Sequence, residues 1–373
     1  MGELKKGLEG VYAAASSLCF INGKKGILRY RGYSIEELAR FSCFEEVTFL
    51  LWYEKLPTKE ELEKFKQALV KQRMIPPKLI AWMRTLSKKT HAMMILRTAV
   101  SMLAEDAPLS HVNKETALHQ ATQITAQIPV IVATWNRIQQ GKNVVYPHPH
   151  LDHAANFLYM LQGKAPSNED AKACDVALIL HAEHDFNAST FAARVTASTL
   201  SDFFSCITTA LGTLQGPLHG GANEQVTIML NEIKTPGEAE KYVLQKLERH
   251  EKIMGLGHRV YKVKDPRAVL LEEWVKKLCD DEKKKEAYEK LKKIEETMKK
   301  EKGLFPNVDF FSGLLYEMLA MPREVFVPFF AMARTAGWSA HVLEQYQNNR
   351  LIRPLSLYTG KKQTPYAPIE QRR

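Results

Sequence analysis

The sequence NKETALHQATQITAQIPVIVATWNRIQQG, residues 113–141, decides the fold class of this chain. Its apolar side chains recur every three or four residues, which is the spacing of one face of an α-helix. They are Ala117, Leu118, Ala121, Ile124, Ile128, Ile131, Trp135 and Ile138. A capping residue, Asn113, precedes them and Gly141 follows them. The segment therefore predicts one long buried helix with a kink at Pro129.

Helix start signals occur on both sides of this segment. In each of them a Ser, Thr or Asp that can cap a helix stands three residues before an acid or directly before a proline. The four predicted starts lie at residues 58–61, 167–170, 235–238 and 265–267. Between residues 187 and 216 the chain is crowded with Ala, Ser, Thr and Gly, which favours close helix packing in an interior or a subunit interface. Most of the chain is therefore predicted to be helical.

The clearest strand signal lies near the amino terminus. Residues 18–21 and 26–30 are rich in apolar side chains, and they flank the turn sequence Asn22-Gly23-Lys24-Lys25. We expect Gly23 to supply the positive φ of this turn. The expected fold class is therefore all-α with one minor β-hairpin.

Length and composition place the chain among ordinary globular proteins. It has 373 residues, of which 45% are hydrophobic and 25% are charged, and this length suits two or three domains. No apolar stretch is long enough to span a membrane, and the first residues lack the apolar core of a signal peptide, so we expect a cytoplasmic protein. Five scattered cysteines without a CxxC pair predict buried reduced thiols.

The net charge of +10 is compatible with a polyanionic partner, and the distribution of the charge indicates which kinds of partner are expected. Much of the charge lies at residues 280–302, where acids and bases alternate at helical spacing, as on a solvated helix face. The chain has no tract of five basic residues and no interleaving of basic with aromatic residues. A nucleic-acid-binding helical protein therefore remains only a distant alternative.

Four irregular segments are the candidates for chemistry, because loops at the ends of rigid helices carry binding groups. They are HAEHDFNAS (181–189), GPLHGGANE (216–224), IMGLGHRVYKVKDPR (253–267) and FPNVDFFSG (305–313). His219 stands before two glycines and a predicted helix start near Asn223, where a neutral imidazole could donate to an enolate oxygen. A purely structural histidine is the alternative at this position.

The third segment combines glycines, a histidine and several cations. The sequence around His258 lacks the third glycine of a dinucleotide-binding fingerprint, and no strand precedes it. Arg267 should occupy the second helical position after the Asp265 cap, where its side chain and the helix amides could converge on one anion. The alternative interpretation is a basic surface loop.

Asp309 lies among apolar residues, between Val308 and the pair Phe310-Phe311. A carboxylate that is partly desolvated there would become a stronger base, suited to removing a proton from carbon. The alternative is an aspartate that caps a helix.

Two histidine-rich segments raise the question of a metal, and we expect none. The residues His181, Glu183, His184 and Asp185 match neither the HExxH nor the HxxEH pattern of zinc sites. The loop that holds His148, His150 and His153 has flanking prolines and a following helical pattern, which favours a surface connector.

Taken in chain order, the four segments resemble citrate synthase of the short bacterial and archaeal type. Further matching motifs extend the resemblance over nearly the whole chain: GLEGVYAAASS, RGYSIEEL, FEEVTFLLW, LRTAVSML, NFLYMLQGKAPS, GWSAHVLEQ and NNRLIRP. The resemblance implies a helical homodimer with two domains, in which a small domain at residues 221–320 closes over a large domain formed by residues 1–220 and 321–373.

The resemblance assigns the catalytic roles to His219, His258 and Asp309. Asp309 would take a proton from the methyl group of acetyl-CoA, His219 would stabilise the enol or enolate, and His258 would polarise the ketone of oxaloacetate. Citryl-CoA would then be hydrolysed to citrate and CoA. No metal and no cofactor is implied, since acetyl-CoA is a substrate.

The resemblance also implies the binding residues. Oxaloacetate would be held by His184, Arg267, Arg334 and the partner subunit's Arg353, since guanidinium forks bind carboxylates at two points. For Arg334 and Arg353, surface ion pairing is the interpretation that the sequence alone favours. CoA would contact Met254, Gly255, Leu256, Gly257 and Lys262.

An alternative within the same chemistry is 2-methylcitrate synthase, which would use propionyl-CoA with the same catalytic groups. One methylene in the acyl pocket decides between them, at about 1–3 kcal/mol. The chain also departs from the family pattern at three places: Ala92 replaces a common Pro, Leu256 a common Phe, and Glu183-His184-Asp185 the sequence DHE. The last departure bears on how His184 is oriented.

Overall fold

The structure, a computed structural model, describes residues 4–106 and 113–372. Within these residues it holds sixteen α-helices and one small sheet, which confirms the predicted all-α class. The helices are α1 Ile35–Phe41, α2 Phe44–Tyr53, α3 Lys59–Lys71, α4 Pro77–Thr85, α5 Ala92–Met102, α6 Lys114–Gln139, α7 His153–Gln162, α8 Asn168–His181, α9 Ala188–Ser198, α10 Phe203–Leu214, α11 Ala222–Glu232, α12 Ala239–Glu248, α13 Pro266–Lys277, α14 Glu282–Lys302, α15 Val308–Met318 and α16 Phe326–Gln347.

The long helix α6 and the still more fully buried α16 form the centre of the fold. The side chain of Asn113 caps α6 by accepting from the backbone N–H of Thr116 at 2.8 Å, as predicted. The helix runs unbroken through Pro129. Helix α16 packs against α6 and also against α2, α8, α9 and α10, so its side chains reach several loops at once.

The predicted hairpin is present, with a third short strand added to it. Strands β1 (Cys19–Asn22), β2 (Ile27–Tyr30) and β3 (Tyr33–Ser34) form one antiparallel sheet. Asn22 pairs with Ile27, so the turn consists of residues 23–26. The expectation for Gly23 was wrong, because the positive φ, 63°, lies at Gly26. The Asn22 side chain accepts from the N–H of Lys25 at 3.1 Å and completes the turn without a left-handed Gly23.

Three of the four predicted helix starts are confirmed by their capping hydrogen bonds. Thr58 and Glu61 form a full capping box, and Ser167 and Asp265 each accept from a backbone N–H of the first turn. The start at residues 235–238 was wrong in its details. The N–H of Glu238 donates to the carbonyl of Thr235, which closes a tighter 3₁₀ turn, and α12 begins only at Ala239.

Helix α14 carries the charged face that the sequence predicts. Several of its lysines pair with acids three or four residues away, as in Lys290 with Glu286 at 2.8 Å and Lys293 with Glu296 at 3.0 Å. Its buried side chains, which include Leu291 and Ile294, lie on the opposite side. Part of the positive charge of this segment is therefore balanced by acids of the same helix.

Helices α11 to α15 pack chiefly against one another, through the pairs α13–α15, α11–α15 and α12–α14. They touch the remaining helices mainly through α1, α8 and α16. This group falls within the small domain predicted at residues 221–320, whose boundaries stay a prediction.

All five cysteines are free thiols. Cys174 and Cys206 are buried as expected, but Cys19, Cys43 and Cys279 are partly exposed, because they lie at or near the ends of elements and not in their interiors. Among the residues that the structure describes, no helix is long and apolar enough to cross a membrane.

Candidate active site

The three predicted catalytic residues lie in loops that lead into helices or in the first turn of a helix. His219 stands before α11, Asp309 lies in the first turn of α15, and His258 belongs to the loop before α13. Burial is the largest cause of the pKa shift at His184, His258 and Asp309. The charge of Arg267 is the second cause and lowers the pKa of all three groups. Arg334 likewise lowers the pKa of His184, His219 and Asp309. Between them, the two buried arginines therefore act on all four of these groups: His184, His219, His258 and Asp309.

The proton of His219 can be assigned from its neighbours. The backbone N–H of Ser189 donates to Nε2 of His219 at 3.3 Å, and the Ser189 hydroxyl lies 2.8 Å from the same nitrogen. Because an amide can only donate, Nε2 accepts and the neutral ring carries its proton on Nδ1. Burial, followed by the charge of Arg334, lowers the pKa of His219 to about 4, so the ring is neutral at pH 7.

His258 has the opposite tautomer. Its Nδ1 accepts from the backbone N–H groups of Val260 at 2.9 Å and Tyr261 at 3.1 Å, so the proton of the neutral ring is on Nε2. Burial, followed by the charge of Arg267, lowers its pKa to about 4. The His258 ring lies 5.3 Å from that of His184, centroid to centroid.

Asp309 does not cap its helix, so the structural alternative for this residue is wrong. The cap of α15 is Asn307, whose side-chain oxygen accepts from the N–H of Asp309 at 2.9 Å. Within residues 4–106 and 113–372, no hydrogen bond reaches the Asp309 carboxylate. Burial raises its pKa to about 6, although Arg267 opposes this shift. The group is therefore a carboxylate of raised basicity that stays ionised at pH 7.

Asn307 also ties Asp309 to the glycine loop, which we define as residues 254–261. Its side-chain amide donates to the carbonyl of Gly257 at 2.9 Å, and its backbone N–H donates to that of Gly255 at 2.9 Å. Leu256 pairs with Pro306 as an isolated β-bridge. Sequence reasoning missed Asn307, although an Asn ahead of an apolar run is a helix-cap signal.

Glycine is required at two positions of this loop. Gly255 and Gly257 have φ values of 78° and 79°. A Cβ on Gly255 would also lie 2.7 Å from Cγ2 of Val226 and 2.9 Å from Cα of Phe310. The loop can therefore pack on α11 and α15 only because it has no side chain there.

Arg267 is buried, with 2% of its surface exposed, and forks onto Asp265. Its Nε and Nη2 donate to the two carboxylate oxygens of Asp265 at 3.0 and 2.7 Å. Burial lowers the pKa of Arg267, but Asp265 outweighs it and the pKa is raised. Asp265 caps α13 as predicted, and its second function of holding Arg267 was missed.

Arg334 and His184 lie close to these groups, and Arg334 is not in the surface ion pair that the sequence alone favours. Its Nε donates to the carbonyl of His181 at 2.6 Å, and its guanidinium lies 4.8 Å above the ring of Phe330. The reason is its place in the middle of α16, whose side chains are nearly all buried. His184 contacts the hydroxyl of Tyr261 at 3.4 Å, and burial keeps its pKa well below the ordinary value.

Helix α16 holds the turn that carries His184. The N–H of Gly337 donates to the carbonyl of Ala182 at 3.1 Å, and a Cβ on Gly337 would lie 2.3 Å from that oxygen. His341 donates from Nε2 to the Glu183 carboxylate at 3.0 Å, because its Nδ1 must accept from the Arg194 guanidinium at 3.1 Å. Sequence reasoning did not anticipate these contacts.

The structure places the remaining predicted residues as follows. Met254 is partly buried in the glycine loop, whereas Lys262 is exposed just after it. Arg353 is exposed in the C-terminal segment and lines a different cleft of about 830 Å³, between residues 8–17, Phe191 and the end of α16. This chain therefore does not bring its own Arg353 to the other predicted residues.

The two histidine-rich segments do not converge on a metal. His181 and His184 hydrogen-bond with Ala177 and Tyr261 respectively, and Glu183 with His341. Among the residues with described positions, no group of three or more His, Cys, Asp or Glu is arranged to hold a metal ion.

The surface-connector interpretation was wrong for His153. This residue begins α7 and is buried against Phe44, with ring centroids 5.0 Å apart, and its N–H donates to Glu45 at 2.8 Å. Burial lowers its pKa to about 3. His148 is partly exposed and His150 is exposed, as expected for a connector.

Comparison with known proteins, both by sequence and by fold, agrees with the family resemblance of the sequence motifs. Residues 7–355 match the family model described as citrate synthase, C-terminal domain. A citrate synthase of Deinococcus radiodurans is 47% identical over the whole of both chains. A 2-methylcitrate synthase of Shewanella oneidensis is 39% identical, also over the whole of both. A citrate synthase of Thermoplasma acidophilum, solved with carboxymethyl coenzyme A and oxaloacetate, superimposes with a TM-score of 0.94 at 36% identity, covering 100% of each chain.

The raised pKa of Asp309 predicts that this residue destabilises the protein at neutral pH. Because the folded state holds the proton up to about pH 6 and the unfolded chain only to about 3.8, stability falls as pH rises between these values. Asp309→Asn removes the penalty and should raise the free energy of unfolding at pH 7.5 by roughly 2–3 kcal/mol. Urea unfolding of both proteins at pH 7.5 and 5 measures this difference. A gain that does not shrink at pH 5 would contradict the titration of Asp309.

Proposed function

Because the chain belongs to the citrate synthase family, we propose that it condenses acetyl-CoA with oxaloacetate and hydrolyses the resulting citryl-CoA to citrate and CoA. The family makes it a transferase whose reaction needs no cofactor. One observation of the site carries the proposal. Two neutral imidazoles with opposite tautomers, His219 and His258, each lie in the field of a buried arginine, Arg334 or Arg267, that also acts on the basic carboxylate of Asp309.

Asp309 removes a proton from the methyl group of acetyl-CoA. This carbon acid is weak, so the base has to be stronger than an ordinary aspartate and yet ionised at pH 7. A pKa of about 6 meets both conditions. The absence of hydrogen bonds to the carboxylate within the described residues leaves its lone pairs available to the substrate.

His219 stabilises the enol or enolate that results. Its Nε2 is engaged by Ser189, so the N–H donor of the neutral ring is Nδ1–H. A neutral imidazole is matched to this task, because an imidazolium would protonate the enolate oxygen outright, whereas imidazole shares its proton in a hydrogen bond. The hydrogen bond from Trp338 to the Ser189 hydroxyl, 3.1 Å long, fixes the serine that sets the tautomer.

His258 acts on the second substrate. Its Nε2–H is free to polarise the ketone of oxaloacetate and then to protonate the new alkoxide, while the two backbone N–H groups on Nδ1 hold the ring in place. The carboxylates of oxaloacetate meet Arg267, Arg334 and His184. Two permanent cations and the hydrogen-bonding group of His184 suit a dianion better than one cation would.

CoA lies along the glycine loop, where Met254, Gly255, Leu256 and Gly257 line its path and Lys262 meets a phosphate. The loop pairs with the backbone of residues 305–307, which precede Asp309. Binding of CoA on the loop therefore orders the segment that presents the base. Closure of residues 221–320 over the large domain shields the intermediate from water, as induced fit requires.

The active molecule is a homodimer in the cytoplasm. Residues 348–372 extend over the surface without an α-helix, and this segment exposes apolar side chains: Leu351, Leu355, Leu357, Tyr358, Tyr366 and Ile369. Apolar surface of this extent on an extended segment suits a second copy of the chain. The partner subunit's Arg353 then completes the oxaloacetate site.

A specific observation keeps 2-methylcitrate synthase as the second candidate. A relative with that name covers the whole chain, but at 39% identity it is less similar than the citrate synthase relative at 47%. Acetyl-CoA is therefore the favoured substrate.

Thiol release tests the proposed function directly. Purified protein with oxaloacetate should release CoA from acetyl-CoA at least about tenfold faster, in kcat/KM, than from propionyl-CoA, since one methylene is worth about 1–3 kcal/mol in an apolar pocket. A preference for propionyl-CoA would establish the second candidate. Salt-sensitive binding to DNA without any thiol release would favour the distant alternative.

Asp309→Asn tests the assignment of the base. The amide keeps the shape of the carboxylate but cannot accept the proton, so kcat should fall by roughly 10²–10⁴. Calorimetric affinity for oxaloacetate should stay close to that of the wild type, since the cations remain. Near-normal citrate formation by this variant would refute the assignment.

Subunit complementation tests the dimer and the role of Arg353. Arg353→Ala alone should raise the KM for oxaloacetate about tenfold or more, because a charge-assisted hydrogen bond to the substrate is lost. Co-expression with Asp309→Asn should form mixed dimers in which one of the two sites has both residues, restoring about a quarter of wild-type activity. No recovery in mixed dimers would show that Arg353 does not act across the interface.

A further inference from the structure

The turn of the amino-terminal hairpin lies directly against the segment that follows His258. The backbone N–H of Lys262 donates to the carbonyl of Gly23 at 2.9 Å. A Cβ on Gly23 would lie only 2.1 Å from the carbonyl oxygen of Val260 and 2.7 Å from its carbonyl carbon. Both are backbone atoms, so neither could move aside by a change of rotamer. These two segments of the chain can approach this closely only because residue 23 has no side chain.

The conformation of the turn does not explain why Gly23 is a glycine. The positive φ of the turn belongs to Gly26, and Gly23 has no positive φ. An alanine would therefore fit the backbone of residue 23 if the hairpin were alone. The requirement for glycine comes from the contact with Val260.

The contact continues to the imidazole of His258. Val260 presents its carbonyl to Gly23 and its N–H to Nδ1 of His258 at 2.9 Å. Tyr261, the next residue, donates to the same nitrogen at 3.1 Å. Residue 260 is thus held between the hairpin turn on one side and the imidazole on the other, so a shift of this backbone moves the group that orients the ring.

The turn itself is a firm support. The side chain of Asn22 accepts from the N–H of Lys25 at 3.1 Å, and β1 pairs with β2 along four residues. A second contact lies at Gly26, where an added Cβ would meet Cγ2 of Val263 at 3.0 Å. Gly23 and Gly26, two positions of one turn, therefore both lie directly against residues 260–263.

We propose that Gly23 is a positioning residue for His258, because its missing side chain lets the hairpin turn set the backbone of residues 260–262 and through it the imidazole. The proposal rests on the proposed function of His258 and names a residue that takes no part in the chemistry. The turn belongs to the predicted large domain and residues 260–262 to the small one, so the contact also spans the surface across which the domains close.

Gly23→Ala tests the proposal, with Lys24→Ala as the matched control in the same turn, since Lys24 is exposed. The added methyl displaces the backbone of Val260, so kcat/KM for acetyl-CoA should fall about 10- to 100-fold, as expected for a catalytic group misplaced by an ångström or less. Oxaloacetate affinity, to which Arg267 and Arg334 contribute most, should change less than about threefold. Lys24→Ala should match the wild type in both.

Amide hydrogen exchange supplies a readout that does not depend on turnover. In Gly23→Ala the amides of Val260, Tyr261 and Lys262 should exchange faster than in the wild type and in Lys24→Ala, while protection of helix α6 stays unchanged. If the wild type forms no citrate, the proposed function fails, and exchange alone then supports the contact or overturns it.

Two outcomes would overturn the positioning role. One is wild-type kcat and KM in Gly23→Ala, whatever its exchange. The other is a loss of activity that follows only the loss of folded protein, with a lower melting temperature and unchanged kinetic constants per folded molecule. Faster exchange at residues 260–262 together with a lower kcat supports it.

Discussion

The site depends on a buried cation that remains charged. Arg267 is almost wholly out of contact with water, and the fork from Asp265 supplies the charge and the two hydrogen bonds that solvent no longer provides. Removing one partner of such a pair costs about 3–5 kcal/mol, because the other is left buried and unpaired. Since Arg267 also lowers the pKa of His258 and of Asp309, its charge acts on an imidazole and a carboxylate of the candidate site together.

Burial has opposite effects on the pKa values of the two kinds of titratable group in the candidate site. It lowers the pKa of His219 and His258 to about 4 and raises that of Asp309 to about 6. At pH 7 the imidazoles are therefore neutral and the carboxylate is ionised, which is the combination that the proposed reaction needs. Backbone N–H groups that donate to one ring nitrogen fix the tautomer of each imidazole. The N–H donor is therefore on Nδ1 in His219 and on Nε2 in His258.

Sequence could predict what depends on neighbouring residues. The caps at Thr58, Ser167 and Asp265 and the long helix α6 follow from local spacing, and the loops with His219, His258 and Asp309 were identified by their composition. It could not predict partners far apart in the chain, such as Ser189 with His219 or His341 with Glu183, because no periodicity encodes which loop ends face each other. The buried His153 was misjudged for the same reason, since Phe44 and Glu45 cover it from another helix.

Glycines show this limit most clearly, because one residue type meets two unrelated requirements. Gly26 and Gly255 have a positive φ, which is a requirement of the local turn, although in the hairpin we expected it at Gly23. Gly23 and Gly337 instead leave room for a carbonyl oxygen of a distant segment, Val260 in one case and Ala182 in the other. Both of these distant segments carry a histidine of the site, His258 or His184. Tight backbone contact between elements is thus a means of orienting a side chain without touching it, and only the folded chain reveals it.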